Sequence, residues 1–129
     1  MKVLVVDDMV SMRHVMLHML RSLGHTDIDE AADGLQALGL LNKKSYDLLI
    51  TDYHMPKIDG RQLLKSIRSN KDLVDLPVLM VSCEDEKSRI KAIIACDVTD
   101  FIVKPFSLQT LEIKIKKIEK QFPPKISII

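Results

Sequence analysis

The chain alternates between short apolar runs and longer segments in which apolar residues recur every three or four positions. Continuous runs rich in Val, Ile and Leu are typical of strands that are buried on both faces of a sheet. The segment 26–32 differs, because it alternates weakly between apolar and acidic residues, as a strand near a sheet edge does. The pattern predicts five strands, over 3–6, 26–32, 48–51, 78–82 and 101–103.

The longer segments have the apolar spacing of amphipathic helices. The first is predicted to begin at Met9 and to stop at Gly24, since glycine is common just after helix C-termini. Asp33, Asp59 and Ser107 precede three other segments and are predicted to cap those helices. The predicted core faces are Met12, Val15, Met16, Met19, Leu20 and Leu23 in the first helix, Ala37, Leu38, Leu40 and Leu41 in the second, Leu63, Leu64 and Ile67 in the third, Ile90, Ile93 and Ile94 in a fourth over 84–95, and Leu108, Leu111, Ile115 and Ile118 in the last.

Strands that alternate with helices and consist of continuous apolar runs predict an α/β fold, in which helices cover both faces of a parallel sheet through right-handed crossovers. The count is five strands and five helices, without internal repeats. A length of 129 residues suits one domain. We therefore predict a single domain over residues 1–121, followed after two prolines by a tail over 122–129 that is either a packed extension or a linker.

Composition and charge exclude several classes of protein. Apolar residues make up 47% of the chain and charged residues 29%, and the net charge of +1 gives no reason to expect nucleic acid or an anionic membrane as a partner. The apolar runs are far shorter than a membrane span or a signal-peptide core, so we expect a cytoplasmic protein. Cys83 and Cys96 lack the spacing of a disulfide framework or a zinc site and are interpreted as small buried residues.

Polar residues follow four of the five predicted strands. They are Asp7 and Asp8 after the first strand, Asp52 after the third, Ser82 after the fourth and Lys104 after the fifth. Because the carboxyl ends of parallel strands lie on one edge of a sheet, we expect these side chains to converge.

Three crowded carboxylates require a cation, and oxygen ligands suit Mg²⁺, whereas zinc would need His or Cys and only His54 is near. With the metal bound, one carboxylate can act as a nucleophile and form an aspartyl phosphate, whose oxygens would contact Lys104 and Ser82.

These residues and their neighbours resemble the motifs of response-regulator receiver domains of two-component signalling, over residues 2–121. The motifs are Asp7-Asp8, Asp52 with Met55-Pro56 and Asp59-Gly60 behind it, Ser82 after the fourth strand, and Phe101 three residues before Lys104-Pro105-Phe106. The resemblance implies a flavodoxin-like, doubly wound parallel sheet with strand order 2-1-3-4-5. It fits a stand-alone regulator similar to those of chemotaxis, or the N-terminal receiver of a longer protein.

The resemblance also implies a role for each motif residue. The phosphoacceptor would be Asp52, and Mg²⁺ would be bound by Asp7, Asp8, Asp52 and the His54 backbone carbonyl. Lys104 and Ser82 would contact the phosphoryl group, and Ser82 and Phe101 would be the switch residues. His54 and Glu84 would modulate the lifetime of the phosphoryl group. The Lys104–Pro105 bond is expected to be cis. Because Phe101 lacks a hydroxyl, its choice of rotamer is expected to depend on packing alone.

By the same resemblance, the protein would be a phosphorylation-activated switch that catalyses only its own phosphoryl transfer and slow self-dephosphorylation. The phosphoryl donor would be a sensor histidine kinase or a phosphotransfer protein. A downstream protein would dock on the face formed by the fourth predicted helix, the fifth strand and the last helix, with no direct nucleic-acid or membrane partner. Lysines on that face are Lys87, Lys91, Lys114, Lys116 and Lys117.

Two positions depart from the family pattern. Cys83 replaces a small Ala after the switch hydroxyl and is expected to slow access to the phosphoryl group. Asp97 replaces a Gly four residues before the switch aromatic residue, which is a mild departure because Asp tolerates the left-handed conformation.

Three other classes of protein fit less well. Haloacid-dehalogenase-like phosphatases also use a strand-end Asp and Mg²⁺, but they need a second Asp where this chain has His54, and a cap segment that this chain lacks. A flavin carrier would need a Gly-rich phosphate loop, whereas Asp7-Asp8-Met9 would repel a phosphate without metal. A receiver that only scaffolds would have lost site residues, and none is lost.

Overall fold

The structure, a computed structural model, describes residues 1–83, 91–92 and 97–124. Its strands are β1 (Val3–Val6), β2 (Ile28–Ala31), β3 (Leu48–Asp52), β4 (Val78–Cys83) and β5 (Asp100–Lys104). They form one parallel sheet in the order β2-β1-β3-β4-β5, which is the predicted flavodoxin-like order. The weakly alternating β2 lies at the edge of the sheet, as its sequence predicts.

Within the described ranges the helices are α1 (Val10–Ser22), α2 (Gly34–Lys43), α3 (Gly60–Arg68) and α4 (Leu108–Gln121). The predicted helix over 84–95 falls mostly outside those ranges, and the two of its residues that are described, Lys91 and Ala92, are helical. None of the helices that the structure describes is long and apolar enough to cross a membrane.

The three predicted N-caps are confirmed. The side chains of Asp33, Asp59 and Ser107 each accept a hydrogen bond from the backbone N–H three residues on, at 2.8–3.1 Å. Gln62 also accepts the backbone N–H of Asp59 at 3.0 Å, which completes a capping box at the start of α3. These caps fix where the helices begin relative to the strand ends that precede them.

The sheet separates two apolar layers. Successive strand residues face opposite sides, so Leu49 packs with α2 and α3, whereas Leu48 and Ile50 pack with α1 and α4. All three side chains are at most 1% exposed. Burial on both faces explains why the strands consist of continuous apolar runs rather than alternating ones.

Two predicted core residues on the four described helices are exposed. Val15 on α1 is 47% exposed and Leu108 on α4 is 40% exposed. The buried stripe of α1 consists of Met16, Leu17 and Leu20. Val15 therefore faces solvent, and Leu17, which the apolar spacing did not predict as a core residue, is buried. Leu108 lies in the first turn of α4, beyond the covered part of the helix.

The interpretation of Cys83 as a buried residue is wrong, because the side chain is exposed. Cys83 is the last residue of β4 and comes directly after Ser82, the last buried position of that strand. It therefore lies at the rim of the sheet rather than within it. Cys96 lies outside the described residues.

Arg68, at the end of α3, contacts the loops that lead into β4 and β5. Its guanidinium donates hydrogen bonds to the backbone carbonyls of Leu76 at 2.7 Å, Val74 at 2.9 Å and Asp97 at 2.9 Å. Asp97 has a φ of 62°, the left-handed conformation that its sequence position predicts. Arg68 therefore links the segment before β4 to the segment before β5.

Candidate functional site

Four strands end at the same edge of the sheet and bring the predicted site residues together. Asp7 follows β1, Asp52 ends β3, Ser82 is the penultimate residue of β4 and Lys104 ends β5. Asp7 and Asp52 are each 8% exposed and Ser82 is fully buried. A buried group of polar side chains at the carboxyl edge of a parallel sheet is where this architecture places ligands and chemistry.

The three acidic side chains form a cluster that fits a divalent cation. Carboxylate oxygens of Asp7, Asp8 and Asp52 all lie within 4.8 Å of one another, and Asp8 is exposed. Ligand oxygens around Mg²⁺ lie about 3–4 Å apart, since each is about 2.1 Å from the ion, so a small movement of the side chains would complete the set. The donors are all oxygen, which suits Mg²⁺ and not zinc.

Asp52 lies between this cluster and a lysine. Its Oδ1 accepts hydrogen bonds from Lys104 Nζ at 3.3 Å and from the Tyr53 backbone N–H at 3.0 Å. Burial raises the pKa of Asp52 and the neighbouring carboxylate of Asp7 raises it further, whereas Lys104 and the Tyr53 N–H oppose the increase. A cation bound beside Asp7 and Asp52 would lower the pKa and favour the ionised, nucleophilic form.

Gly60 allows α3 to approach the loop behind Asp52. A Cβ at this position would lie 2.7 Å from the Asp52 carbonyl oxygen and 2.7 Å from the Met80 sulfur. The Gly60 N–H donates to the Tyr53 carbonyl at 2.8 Å, which anchors the turn. The sequence identified Gly60 only as part of a motif, and the structure supplies the physical reason for it.

The predicted switch residues lie on the adjacent strands β4 and β5. Phe101 pairs with Met80, two residues before Ser82, and its ring packs partly buried against the layer of α2 and α3. The Ser82 hydroxyl contacts the Cys83 carbonyl at 3.5 Å, a long distance that leaves the hydroxyl free to turn. Lys114 Nζ lies 5.4 Å from the centre of the Phe101 ring, a contact that sequence reasoning missed.

The remaining predicted site residues lie around this centre. His54 is exposed, with its ring centre 5.3 Å from that of Tyr53 in an edge-to-face arrangement. The Lys104–Pro105 bond is cis, as expected. Glu84 lies outside the described residues.

Arg13 supports the acidic loop, and sequence reasoning missed it. Its Nη1 donates to the backbone carbonyl of Asp7 at 2.8 Å, and its Nε forms an ion pair with Glu30 at 2.7 Å. The side chain thereby ties α1 and β2 to the end of β1. Arg13 and Glu30 are 17 residues apart on different elements, so no local pattern indicates the pair.

Residues 3–116 match the family described as the response regulator receiver domain. The chain belongs to this family. It is 43% identical over 118 residues to the chemotaxis protein CheY-3 of Vibrio cholerae serotype O1, covering 92% of this chain and 91% of that protein. It is 42% identical over 118 residues to the chemotaxis protein CheY of Pseudomonas aeruginosa, covering 92% and 95% respectively.

Solved structures of the family share the fold of this receiver domain. The chemotaxis response regulator CheY4 of Vibrio cholerae superposes with a TM-score of 0.82 at 32% identity, over 91% of this chain and 97% of that one. A response regulator receiver protein from Pseudomonas putida gives a TM-score of 0.80 at 29% identity, over 89% and 94%. The receiver domain is therefore a signalling domain of the two-component and chemotaxis type.

Proposed function

We propose that this receiver domain is a phosphorylation-activated switch in which Asp52 accepts a phosphoryl group from a sensor histidine kinase or a phosphotransfer protein. The observation that supports this most strongly is the environment of Asp52. The carboxylate is 8% exposed, has an ammonium group 3.3 Å away, and shares an acidic cluster with Asp7 and Asp8. A purely structural carboxylate would not be buried beside two others.

Asp52 Oδ2 is the oxygen that attacks. Both hydrogen bonds that the structure gives this carboxylate, from Lys104 and from the Tyr53 N–H, are to Oδ1. They orient the side chain, and no hydrogen bond from the described residues reaches Oδ2. As the bond from Oδ2 to phosphorus forms, the bond from phosphorus to the donor atom breaks, and the donor leaves with its electron pair.

Lys104 and Ser82 stabilise the transferred group. Lys104 is held at the end of β5 with its ammonium beside Asp52, and the Ser82 hydroxyl is on the neighbouring strand. Both can donate to phosphoryl oxygens in a site that is largely excluded from water. Asp7, Asp8, Asp52 and the His54 backbone carbonyl would hold Mg²⁺, which supplies positive charge to the phosphoryl oxygens when bound.

The lifetime of the aspartyl phosphate depends on the residues that control access of water. His54 and Cys83 are both exposed at the rim of the site. We assign His54 and Glu84 to modulation of the slow self-dephosphorylation, and Cys83 to narrowing the approach. The assignments of His54 and Glu84 follow the family pattern, whereas that of Cys83 follows from its replacing the small Ala that the family has at this position.

The output is a change of the docking face. A phosphoryl group adds strong acceptors at Asp52, toward which the Ser82 hydroxyl turns, and Phe101 then moves inward. The downstream protein binds the face formed by residues 84–95, β5 and α4, within a receiver domain over residues 1–121. Residues 122–129 then act as a tail or linker.

Acetyl phosphate with Mg²⁺ tests the proposal on the wild type, Asp52→Asn and the control Asp59→Asn, whose side chain caps α3 in the following loop. We expect base-labile, acid-stable phosphate on the wild type and on Asp59→Asn, and none on Asp52→Asn. Retained labelling of Asp52→Asn would move the nucleophile to Asp7 or Asp8 and would overturn the assignment.

A further inference from the structure

Lys114, on α4, contacts the ring of Phe101, on β5, across the interface between these two elements. Its Nζ lies 5.4 Å from the ring centre, within the range of a cation–π interaction. The same Nζ lies 3.1 Å from Asp100 Oδ1 and donates a hydrogen bond to it. The lysine therefore contacts the switch aromatic residue and the residue before it at the same time.

Asp100 holds Lys114 in this position. Its side chain is only 14% exposed and that of Lys114 is 29% exposed. Oδ1 also accepts the Phe101 backbone N–H at 2.8 Å, while Oδ2 is buried and accepts no hydrogen bond from any group that the structure describes. A carboxylate with so little solvent requires its cation, so Asp100 keeps the ammonium close to the ring.

We propose that Lys114 is a positioning residue that restrains Phe101 in its half-buried rotamer and so sets how readily the switch responds. The inference rests on the proposed function, in which Phe101 moves inward after Asp52 is phosphorylated. A Phe ring has no hydroxyl to hold it by a hydrogen bond. The ammonium replaces that control with an electrostatic contact that is independent of core packing.

The restraint favours the resting state. Movement of the ring toward Ser82 takes it away from Lys114, so the cation–π contact is lost in the activated state. A ligand shifts the equilibrium between the two states only by the difference in its affinity for them. Part of the binding free energy of a ligand that prefers the activated state is therefore spent on breaking the cation–π contact. Removal of the ammonium should therefore increase the affinity for a phosphoryl analogue.

Titration with beryllofluoride in Mg²⁺ measures this affinity, and fluorine NMR of protein labelled with 4-fluorophenylalanine reports the ring. The chain has three Phe residues, so the Phe101 signal is assigned by its absence in Phe101→Leu. We expect Lys114→Met to bind beryllofluoride about two- to fivefold more tightly than the wild type and to shift the Phe101 signal of the free protein. Lys114→Arg, which keeps a cation, and Lys117→Met, which removes an exposed lysine from the same helix, should match the wild type.

The Phe101→Leu background separates the restraint from a general effect on stability. There, Lys114→Met should leave the affinity for beryllofluoride unchanged, because the aromatic ring is absent. Equal or weaker binding by Lys114→Met, the same gain in Lys117→Met, or a gain that persists without the ring would overturn the inference. A wild type that does not bind beryllofluoride at all would instead refute the proposed function.

Discussion

Asp52 is in an environment that disfavours its charged form when no cation is bound. Burial and the carboxylate of Asp7 raise the pKa of Asp52 in the folded protein above its value in the unfolded chain. The contribution of Asp52 to the free energy of unfolding is therefore most favourable below the pKa that Asp52 has in the unfolded chain. It is lost as pH rises through the higher pKa that Asp52 has in the folded protein. At neutral pH, the metal-free protein should therefore be less stable than one without this carboxylate.

Comparison of melting temperatures in chelator tests this effect. We expect Asp52→Asn to melt above the wild type at pH 7, and the difference to shrink as pH falls toward 4, because the wild-type carboxyl then takes up its proton. A difference that stays constant or grows on acidification would show that burial does not raise the pKa of Asp52.

Gly60 offers a second residue-level test, with a matched control in the same chain. Gly60→Ala places a methyl group 2.7 Å from the Asp52 carbonyl and the Met80 sulfur, so we expect a loss of about 1–3 kcal/mol in the free energy of unfolding and slower phosphorylation. A Cβ at Gly39, within α2, meets nothing within 4 Å, and Gly39→Ala should be stabilising by about 0.5–1 kcal/mol. Urea unfolding measures both, and equal effects of the two substitutions would argue against the steric explanation.

At single residues, the sequence predicts what depends on local chemistry. The caps Asp33, Asp59 and Ser107 and the left-handed Asp97 follow from side-chain oxygens and backbone preferences that need no neighbours. The contact of Lys114 with Phe101 was not predictable, because it joins residues 13 apart whose distance depends on how α4 lies against the sheet.

At the level of elements, Arg68 links α3 to the loops on both sides of β4. Its guanidinium donates hydrogen bonds to the carbonyls of Val74, Leu76 and Asp97. We expect Arg68→Met to lower the free energy of unfolding by about 1.5–3 kcal/mol, since hydrogen bonds to a charged donor are lost in a partly buried site. Urea unfolding checks this value, and Arg61→Met, an exposed arginine on the same helix, is the control. A loss no larger than that of Arg61→Met would show that the contacts do not stabilise the fold.

The elements themselves were largely predictable, and their orientation was not. Strands buried on both faces have continuous apolar runs, so their bounds are visible in the sequence within a few residues. The spacing of apolar residues in α1 indicates that one side of the helix is apolar, but it does not specify which residues at the border of that side contact the sheet. Val15 was therefore predicted in the core in place of Leu17. Leu108 and Cys83 were misplaced for a related reason, because they lie where an element runs past the layer that would cover it.

At the scale of the whole molecule, the site exists only when the chain is folded. Asp7 and Asp8 follow β1 and Asp52 ends β3, so the unfolded chain has no assembled acidic cluster. Mg²⁺ should therefore raise the melting temperature, with stabilisation of about 2.7 kcal/mol at a concentration about 100-fold above Kd. We expect Asp8→Asn, which alters the exposed member of the acidic cluster, to lose most of this effect. The same melting temperature in chelator and in millimolar Mg²⁺ would contradict the metal assignment.

The convergence of the polar residues could be predicted because parallel strands with right-handed crossovers leave little freedom. All carboxyl ends of such strands lie on one edge, and Asp7, Asp52, Ser82 and Lys104 come at or next to those ends. What the topology does not specify is the distance between side chains, such as the 3.3 Å between Lys104 and Asp52. Such distances depend on side-chain packing between residues far apart in the chain, 52 positions in this case.

The proposed switch requires that a phosphoryl group at Asp52 be sensed at Phe101 and α4. Amide chemical shifts of the wild type, recorded before and after addition of beryllofluoride with Mg²⁺, test it most directly, with Asp52→Asn as the control that should not respond. We predict changes at Ser82 that extend to Phe101 and along Leu108–Gln121. Changes confined to the strand-end loops, with α4 unmoved, would contradict the switch.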